Sequence, residues 1–484
     1  MRDRLNFRTS FLMKDFSRDP WADHDTLAKE TPPLSDGSEI RFLILGAGHN
    51  GILFAYQLVA AEFNPADVVV IDKAGGFGGT WAIATCHSSK KQDSFQNIAT
   101  GRVKRSVRTL SRLQKYGIQG MFYTKAKSAE RSDVQKRWVV AMSRNMGPKY
   151  QHLNGDFVIQ TQFLMPAGSL FYSPSAPDVP GLGVFAENRE IFHTSCSQAG
   201  QMAKWPKQLY VFQRTPSYCG PRKQVKTTPE IWIIVVGRPS WQADRMRNLN
   251  KFLNDHPEVT PADDLVKDGW SNARTFAGLI GSPRVTDVTP ENVHRHLQRM
   301  LELDAEISTE LRKHVEREVD DTELAEKLIT WYPGWCKRPT FHQDYLKSFN
   351  RSNVTLVDTD EYFSRKGDLV KEYEVDVLVL ATGFATTTAV DGDPAQVLNM
   401  PTQGRNGRDL TEKWQSDEFA TFMGVATRDF SNLLFYTSKG ATSSTNTTYP
   451  CTVGGRLVAH IAKTAYDRAS DINRVEVEVS KEAE

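Results

Sequence analysis

The sequence predicts an α/β protein built on a doubly wound Rossmann-type domain, with a smaller insertion and a helical cap. Residues 40–45 (IRFLIL) form a short apolar run that ends in the turn GAGHNG, and residues 52–63 have the pattern of a helix. Residues 68–71 (VVVI) then predict a second buried strand. Strand, helix and strand in this order are a βαβ unit, which is the building block of a parallel sheet.

Further elements are expected after this unit in the chain. Charged and apolar residues alternate at spacings of three and four between residues 290 and 331, which predicts the helical cap. Residues 375–384 (VDVLVLATGF) predict a buried strand that ends in glycine, and residues 456–468 predict a last helix. Residues 82–110 are polar and lack a clear period, so we expect a long loop there.

Composition and charge exclude several classes of function. The chain has 484 residues, with 60 basic and 58 acidic side chains, a balance that does not favour nucleic acid as a partner. No apolar stretch is long enough for a membrane span. The five cysteines are scattered and odd in number, and no CxxC pair or other metal-ligand spacing occurs. With no apolar secretory segment near the start, we expect reduced thiols and an intracellular, cytoplasmic protein.

The first turn has the spacing of a dinucleotide site. Gly46, Gly48 and Gly51 form GxGxxG between a strand and a helix, and Asp72 follows Gly51 by 21 residues. The glycines allow a tight turn, close approach of a pyrophosphate and close packing of helix on strand, while the acid suits a ribose hydroxyl. An acid at this position favours FAD or NAD over NADP.

A second glycine-rich segment, GGFGGTW, follows the second strand directly. It is either a flexible turn or a backbone that passes close to a flat cofactor. In the second case Gly79, Thr80 and Trp81 contact the cofactor, with Trp81 as a packing platform.

These two segments together resemble the class B flavin monooxygenases, specifically the Baeyer–Villiger type. Similar segments follow in the family's order, namely VFQRTPS at 211–217, GWCKRP at 334–339 and ATGF at 381–384. The resemblance covers about residues 38–465 and is strongest to fungal enzymes of secondary metabolism.

The resemblance implies an enzyme that uses FAD, NADPH and O2 to insert an oxygen atom next to a ketone. Arg338 matches the family's active-site arginine, a fixed cation that would stabilise the anionic oxidant and the nicotinamide. Arg214, Thr215 and Lys337 match residues that hold the 2′-phosphate of NADP, and Gly383 lies in the matching ATGF segment. The expected substrate is a small-molecule ketone of a fungal polyketide, most narrowly an anthraquinone of sterigmatocystin- or aflatoxin-type biosynthesis.

Two departures from the family's pattern leave alternatives open. Cys86 is not followed by the aspartate that pairs with the active-site arginine in the family. The second GxGxxG, which should open the NADP-binding unit before VFQRTPS, is missing. One alternative is therefore a non-catalytic FAD-fold protein that NADPH cannot reduce. Another is an enzyme that oxygenates nitrogen or sulfur, although the KRP segment argues against it.

The predicted fold class is thus a doubly wound Rossmann-type FAD domain with a reduced NADP-binding insertion and a helical cap. The expected segments are an N-terminal arm (1–37), the first part of the FAD domain (38–170), a remnant of the NADP-binding domain (171–240), a helical insertion (241–335), a return to the FAD domain (336–470) and a flexible tail (471–484).

Overall fold

The computed structural model describes residues 24–79, 116–168, 175, 177–193, 203–204, 206–223, 225–277, 281–284, 287–337, 339–359, 371–384, 392–437, 439–440, 444 and 446–484. The chain divides into two compact units. Unit 1 comprises residues 1–197, 375–442 and 451–484, and unit 2 comprises residues 198–374 and 443–450. The expected loop at 82–110 lies outside the described residues.

The strands in chain order are β1 (Glu39–Leu45), β2 (Val68–Asp72), β3 (Gln119–Phe122), β4 (Thr124–Ser132), β5 (Arg137–Arg144), β6 (Gly155–Pro166), β7 (Glu190–His193), β8 (Leu209–Gln213), β9 (Cys219–Gly220), β10 (Thr340–Phe341), β11 (Val354–Asp358), β12 (Val377–Leu380) and β13 (Thr402–Gln403). The α-helices are α1 (His24–Lys29), α2 (His49–Ala60), α3 (Leu182–Asn188), α4 (Pro229–Val235), α5 (Trp241–Leu253), α6 (Val293–Glu318), α7 (Thr322–Leu328), α8 (Pro394–Leu398), α9 (Leu410–Gln415) and α10 (Thr448–Arg468).

Unit 1 is built on a seven-stranded sheet in the order β13-β4-β5-β6-β1-β2-β3. Strand β1 pairs in parallel with β2 and β6, and β2 pairs in parallel with β3, which confirms the predicted βαβ unit and the α/β class. Strands β4, β5 and β6 are antiparallel neighbours. The sheet is therefore mixed, with its parallel part at the glycine-rich turns.

The central strands are buried on both faces. In β1, Phe42 and Ile44 belong to a core with helices α2 and α10, whereas Leu43 and Leu45 belong to a second core that contains Trp138. Successive side chains of a strand point to opposite faces of the sheet, so a run of apolar residues contributes side chains to both cores. This arrangement explains why residues 42–45 (FLIL) and 68–71 (VVVI) contain no polar side chain.

Unit 2 joins segments that the sequence analysis separated. Strand β8 pairs in parallel with β11, and β9 pairs in parallel with β10. The expected boundaries at 240 and 335 both fall inside this unit, and the return to unit 1 begins at 375 instead of 336. Backbone pairing joins the NADP-binding remnant to residues 340–358, and packing of Val315 and Leu328 on Val354 adds the helical insertion to the same body.

The predicted cap helices are part of the core of unit 2. Helices α6 and α7 lie within the predicted range, but Val315 and Leu328 pack in one cluster with Val354 and the half-buried Val211. The charged positions between them face solvent, which gave the mixed pattern in the sequence. None of the helices in the described ranges combines the length and apolar composition needed to cross a bilayer.

Strand β12 differs from the buried strand expected at 375–384. It pairs with β7 outside the seven-stranded sheet, and Leu380 is its one buried residue. Among the described strands β7 is its only partner, so Val377 at its start stays exposed.

The C-terminal segment is packed, which corrects the expectation of a flexible tail at 471–484. In VEVEV, Val475 is buried in the core of unit 1, and the Val477 N–H donates to Asn432 Oδ1 at 2.7 Å. Glu476 forms ion pairs with Arg131 and Lys136 on the other side. The alternation of valine and glutamate places apolar side chains in the core and an acidic side chain against Arg131 and Lys136.

Replacing Glu484 with alanine is expected to lower the free energy of unfolding by about 3 kcal/mol, because it would leave a buried ammonium unpaired. Lys413 Nζ donates to Glu484 Oε1 at 2.7 Å, and their side chains are 1% and 6% exposed. Urea denaturation measures the loss, and Glu482→Ala, at an exposed position, is the matched control. Equal stability of the two variants would contradict the expected role of the pair.

The Glu484 contribution should depend on pH. Burial raises the pKa of Glu484, but hydrogen bonds from Lys413, the Arg428 N–H and Thr427 outweigh it and hold the pKa below the ordinary value of 4.5. A group with a lowered pKa in the folded state stabilises above its unfolded pKa and loses that effect as the pH falls. The difference between wild type and Glu484→Ala should therefore shrink below about pH 4.5.

Candidate active site

The first glycine-rich turn joins the end of β1 to the start of α2. Gly46 has φ of +118°, which favours glycine, and a Cβ there would lie 2.9 Å from the Ala167 carbonyl oxygen. A Cβ on Gly51 would lie 1.8 Å from the Gly46 carbonyl oxygen. The chain's own backbone therefore excludes a side chain at both positions, as the motif predicts.

Gly48 differs from its two neighbours in the motif. Its φ is −75°, which any residue can adopt, and a Cβ would meet only Gly79 Cα, at an ordinary 3.9 Å. No side chain caps the N-terminus of α2 at this residue. The missing side chain thus leaves open space before a helix N-terminus, where backbone N–H groups favour a phosphate.

The side chain of Asn50 supports the same interpretation. Its Oδ1 atom is buried and accepts no hydrogen bond within the described part of the chain. A buried acceptor without a donor is costly, and a bound polar group would remove that cost. The turn therefore fits a dinucleotide such as FAD on two observations, the open space at Gly48 and the unpaired oxygen of Asn50.

The second glycine-rich segment packs directly on the first. The Gly78 N–H donates to the Ala47 carbonyl at 2.9 Å, and a Cβ on Gly79 would lie 2.8 Å from Gly48 Cα. Gly79 has φ of +53°. The structure thus brings Gly79 against Gly48 of the first turn. Thr80 and Trp81 lie outside the described residues, and the predicted contact of all three residues with the cofactor stays a prediction.

Asp72 lies at the end of β2, between the two turns. The Ala47 N–H donates to its Oδ2 at 2.7 Å, and the Ala74 N–H donates to its Oδ1 at 2.8 Å. The carboxylate therefore ties the turns together, a task that the spacing alone did not indicate. Each carboxylate oxygen has two acceptor sites, so both can still accept a ribose hydroxyl.

The second set of predicted residues lies in unit 2, on two neighbouring segments. Arg214 and Thr215 follow β8 directly, and Lys337 lies three residues before β10. Tyr332 Oη donates to the Pro216 carbonyl at 2.6 Å, and Lys337 Nζ lies 5.2 Å from the centroid of the Tyr332 ring. The structure therefore brings the two segments together, while Arg338 lies outside the described residues.

Gly383 follows β12 in unit 1. Its φ is +71°, and its carbonyl accepts a hydrogen bond from the Ser175 N–H at 2.8 Å. No atom lies within 4 Å of a Cβ built there. The residue is needed for the turn after the strand, and its predicted contact with the cofactor stays a prediction.

Comparison with known proteins decides the family. Residues 44–111 match the model of the NAD(P)-binding Rossmann-like domain. Over 97% of this chain, the sequence is 33% identical to the polycyclic ketone monooxygenase of Thermothelomyces thermophilus, with 79% of that protein covered. The chain belongs to the Baeyer–Villiger-type FAD-binding monooxygenases. Membership confirms the predicted enzyme class, a flavin-dependent monooxygenase, and its cofactors, FAD and NADPH.

Other comparisons agree with this assignment. The chermesin D/asnovolin J monooxidase of Aspergillus novofumigatus is 31% identical over 99% of the chain and is covered to 81%. The solved structure of the Thermothelomyces thermophila polycyclic ketone monooxygenase has a TM-score of 0.85 at 32% identity, with 97% of this chain and 82% of that chain covered. A cyclohexanone monooxygenase, at 19% identity and a TM-score of 0.63, shares the fold.

This Baeyer–Villiger-type monooxygenase is shorter than its relatives within the aligned region. The alignment with the Thermothelomyces thermophilus enzyme runs over 529 positions, more than the 484 residues of this chain. The relative therefore has internal segments that this chain lacks. Missing internal segments are what the absent second GxGxxG led us to expect.

Proposed function

We propose that this monooxygenase inserts one atom of O2 next to the carbonyl of a polycyclic ketone in fungal secondary metabolism. In balance, ketone, O2, NADPH and a proton give an ester or lactone, NADP+ and water. The observation that carries the proposal is the similarity over nearly the whole chain to an enzyme named for polycyclic ketones. Other relatives are fungal enzymes named as a chermesin D/asnovolin J monooxidase and as FAD-binding monooxygenases.

Unit 1 would hold FAD at its two touching glycine-rich turns. The N-terminus of α2 would donate N–H groups to the pyrophosphate, and Asp72 would accept from a ribose hydroxyl while keeping the turns joined. When bound, FAD accepts a hydride from NADPH and activates O2. The chain itself supplies binding, orientation and charge.

Unit 2 would recognise NADPH through cations. Arg214, Thr215 and Lys337 come from segments held side by side, and a guanidinium and an ammonium together suit the 2′-phosphate. Arg338 directly follows Lys337 and would place a fixed positive charge where negative charge develops during oxygen insertion.

A non-catalytic FAD-fold protein is the second candidate. The missing GxGxxG favours it, because the NADP pyrophosphate would lack the helix N-terminus that normally anchors it. This candidate predicts bound flavin that NADPH does not reduce. Oxygenation of nitrogen or sulfur is a third candidate, with the KRP segment against it.

Product analysis tests the proposal. The purified chain is incubated with NADPH, ¹⁸O2 and separate substrates, namely a steroid ketone, an anthraquinone with a side-chain ketone, cyclohexanone, a thioether and a tertiary amine. We expect an ester or lactone with one ¹⁸O atom from a polycyclic ketone. The anthraquinone tests the narrower prediction of aflatoxin-type biosynthesis. Formation of sulfoxide or N-oxide alone, or no organic product, would contradict the proposal.

An intracellular, cytoplasmic location stays a prediction. It is supported by Cys219, Cys336 and Cys451, which are free thiols. Fractionation of the source cells would test it.

A further inference from the structure

Tyr332 contacts both segments that carry the candidate phosphate-binding residues of unit 2. Its side chain is buried, and its hydroxyl donates to the Pro216 carbonyl at 2.6 Å, next to Thr215. Its ring lies under the Lys337 ammonium at 5.2 Å. Burial raises the pKa of Tyr332, so the hydroxyl stays protonated and keeps its role as donor.

Asp304 fixes the same segment from helix α6. The Gly334 N–H donates to its Oδ1 at 2.9 Å, and Ser308 Oγ donates to its Oδ2 at 2.7 Å. The aspartate is 5% exposed, so breaking these hydrogen bonds would leave a buried carboxylate without partners, which is energetically costly. Gly334 lies between Tyr332 and Lys337 in the chain, so Asp304 and Tyr332 together determine the path of the backbone that carries Lys337.

We propose that Tyr332 and Asp304 are positioning residues for recognition of the 2′-phosphate of NADPH. The inference rests on the proposed function of Arg214, Thr215 and Lys337. A phosphate bound by cations from two chain segments needs both segments in place at once, and a lysine on a flexible stem gains most from a ring that restrains it. The Tyr332 hydrogen bond, over 116 residues of sequence, supplies that restraint.

The missing second GxGxxG increases the importance of this contact. Without a glycine-rich turn for the pyrophosphate, a larger share of the binding free energy of NADPH falls on the 2′-phosphate. Selectivity for NADPH over NADH should then depend strongly on how well Lys337 and Arg214 are held. Tyr332 and Asp304 thus set cofactor selectivity without contacting the cofactor's reacting atoms.

Calorimetric titration with adenosine 2′,5′-bisphosphate and with AMP tests the proposal without requiring turnover. Wild type should prefer the bisphosphate. Tyr332→Phe keeps the ring but removes the hydrogen bond, and should weaken bisphosphate binding about five- to tenfold while leaving AMP binding unchanged. Tyr332→Leu, which removes the ring as well, should weaken bisphosphate binding further. Asp304→Ala should act in the same direction, and Asp304→Asn, which keeps an acceptor for Gly334, should restore most of the preference.

Two controls separate positioning from general stability. Tyr345→Phe alters another tyrosine of unit 2, packed on Phe349, and should not change the preference. In a Lys337→Ala background, Tyr332→Phe should have little further effect, because the group that it positions is gone.

The outcomes distinguish two failures. If wild type shows no preference for the bisphosphate, the proposed function of Arg214, Thr215 and Lys337 fails. The positioning role is overturned if wild type prefers the bisphosphate and Tyr332→Phe keeps that preference. It is also overturned if Tyr332→Phe loses affinity for the bisphosphate and for AMP equally. In both cases the proposed function of Arg214, Thr215 and Lys337 stands.

Discussion

Replacing Gly51 with alanine is expected to yield a protein that purifies with at least about tenfold less flavin, since the motif glycines are required for cofactor binding. A Cβ at this position would lie 1.8 Å from the Gly46 carbonyl oxygen and 3.0 Å from the Gly46 carbonyl carbon. Both are backbone atoms, so helix α2 must move away from β1. The N–H groups at its N-terminus would then no longer face the turn. Visible flavin absorbance per protein measures the effect.

Two further glycine variants make this prediction specific. Gly155→Ala is the matched control, because a Cβ there also meets nothing within 4 Å and the residue begins β6, outside both glycine-rich turns, so this variant should keep its flavin. Gly48→Ala fits the chain's own atoms, so it should keep the melting temperature of flavin-free wild type and still lose flavin to a clash with the cofactor. Full flavin content in Gly51→Ala, or in Gly48→Ala, would contradict the assignment of the turn.

Replacing Arg338 with alanine is expected to lower kcat/KM for oxygenation of a ketone by about 100- to 1000-fold, the usual effect of removing one group that stabilises developing negative charge. Arg338 matches the family's active-site arginine, and the described residues near it in the chain are held in place, since Lys337 lies over the Tyr332 ring and the Thr340 N–H donates to the Tyr218 carbonyl.

Companion variants define what the arginine contributes. Arg338→Lys keeps a charge but not the planar fork, so its activity should lie between wild type and alanine. Arg351→Ala removes an exposed arginine of the same unit and should leave kcat/KM unchanged. Flavin content should be normal in all three variants. Wild-type kcat/KM in Arg338→Ala would show that the family role does not extend to this residue.

Local features of the fold were predictable from the sequence, and long-range pairings were not. The βαβ unit was predictable because Gly46, Gly51 and the apolar strands determine it within about 30 residues. The single body formed by 198–374 was not, because it depends on pairing of β8 with β11. The packed tail was missed for a similar reason, since its partners, such as Arg131, lie more than 300 residues earlier.

In the candidate site, too, local features were predictable from the sequence and long-range contacts were not. The glycine spacing predicted Gly46, Gly48, Gly51 and Asp72, and the structure places them at one edge of the sheet. It did not predict that Asp72 binds the backbone of both turns, because spacing carries no information on which N–H groups lie nearby. Tyr332 and Asp304 belong to no recognisable motif, so only the folded backbone identifies them.

Despite its missing segments, this chain is expected to be an FAD enzyme that NADPH reduces. The most direct test mixes the purified protein with NADPH in the absence of oxygen while the visible flavin spectrum is recorded. We predict a flavin band that bleaches on mixing and returns when oxygen is admitted. A band that persists in the presence of NADPH, or a protein without flavin, would contradict the claim and favour the non-catalytic alternative.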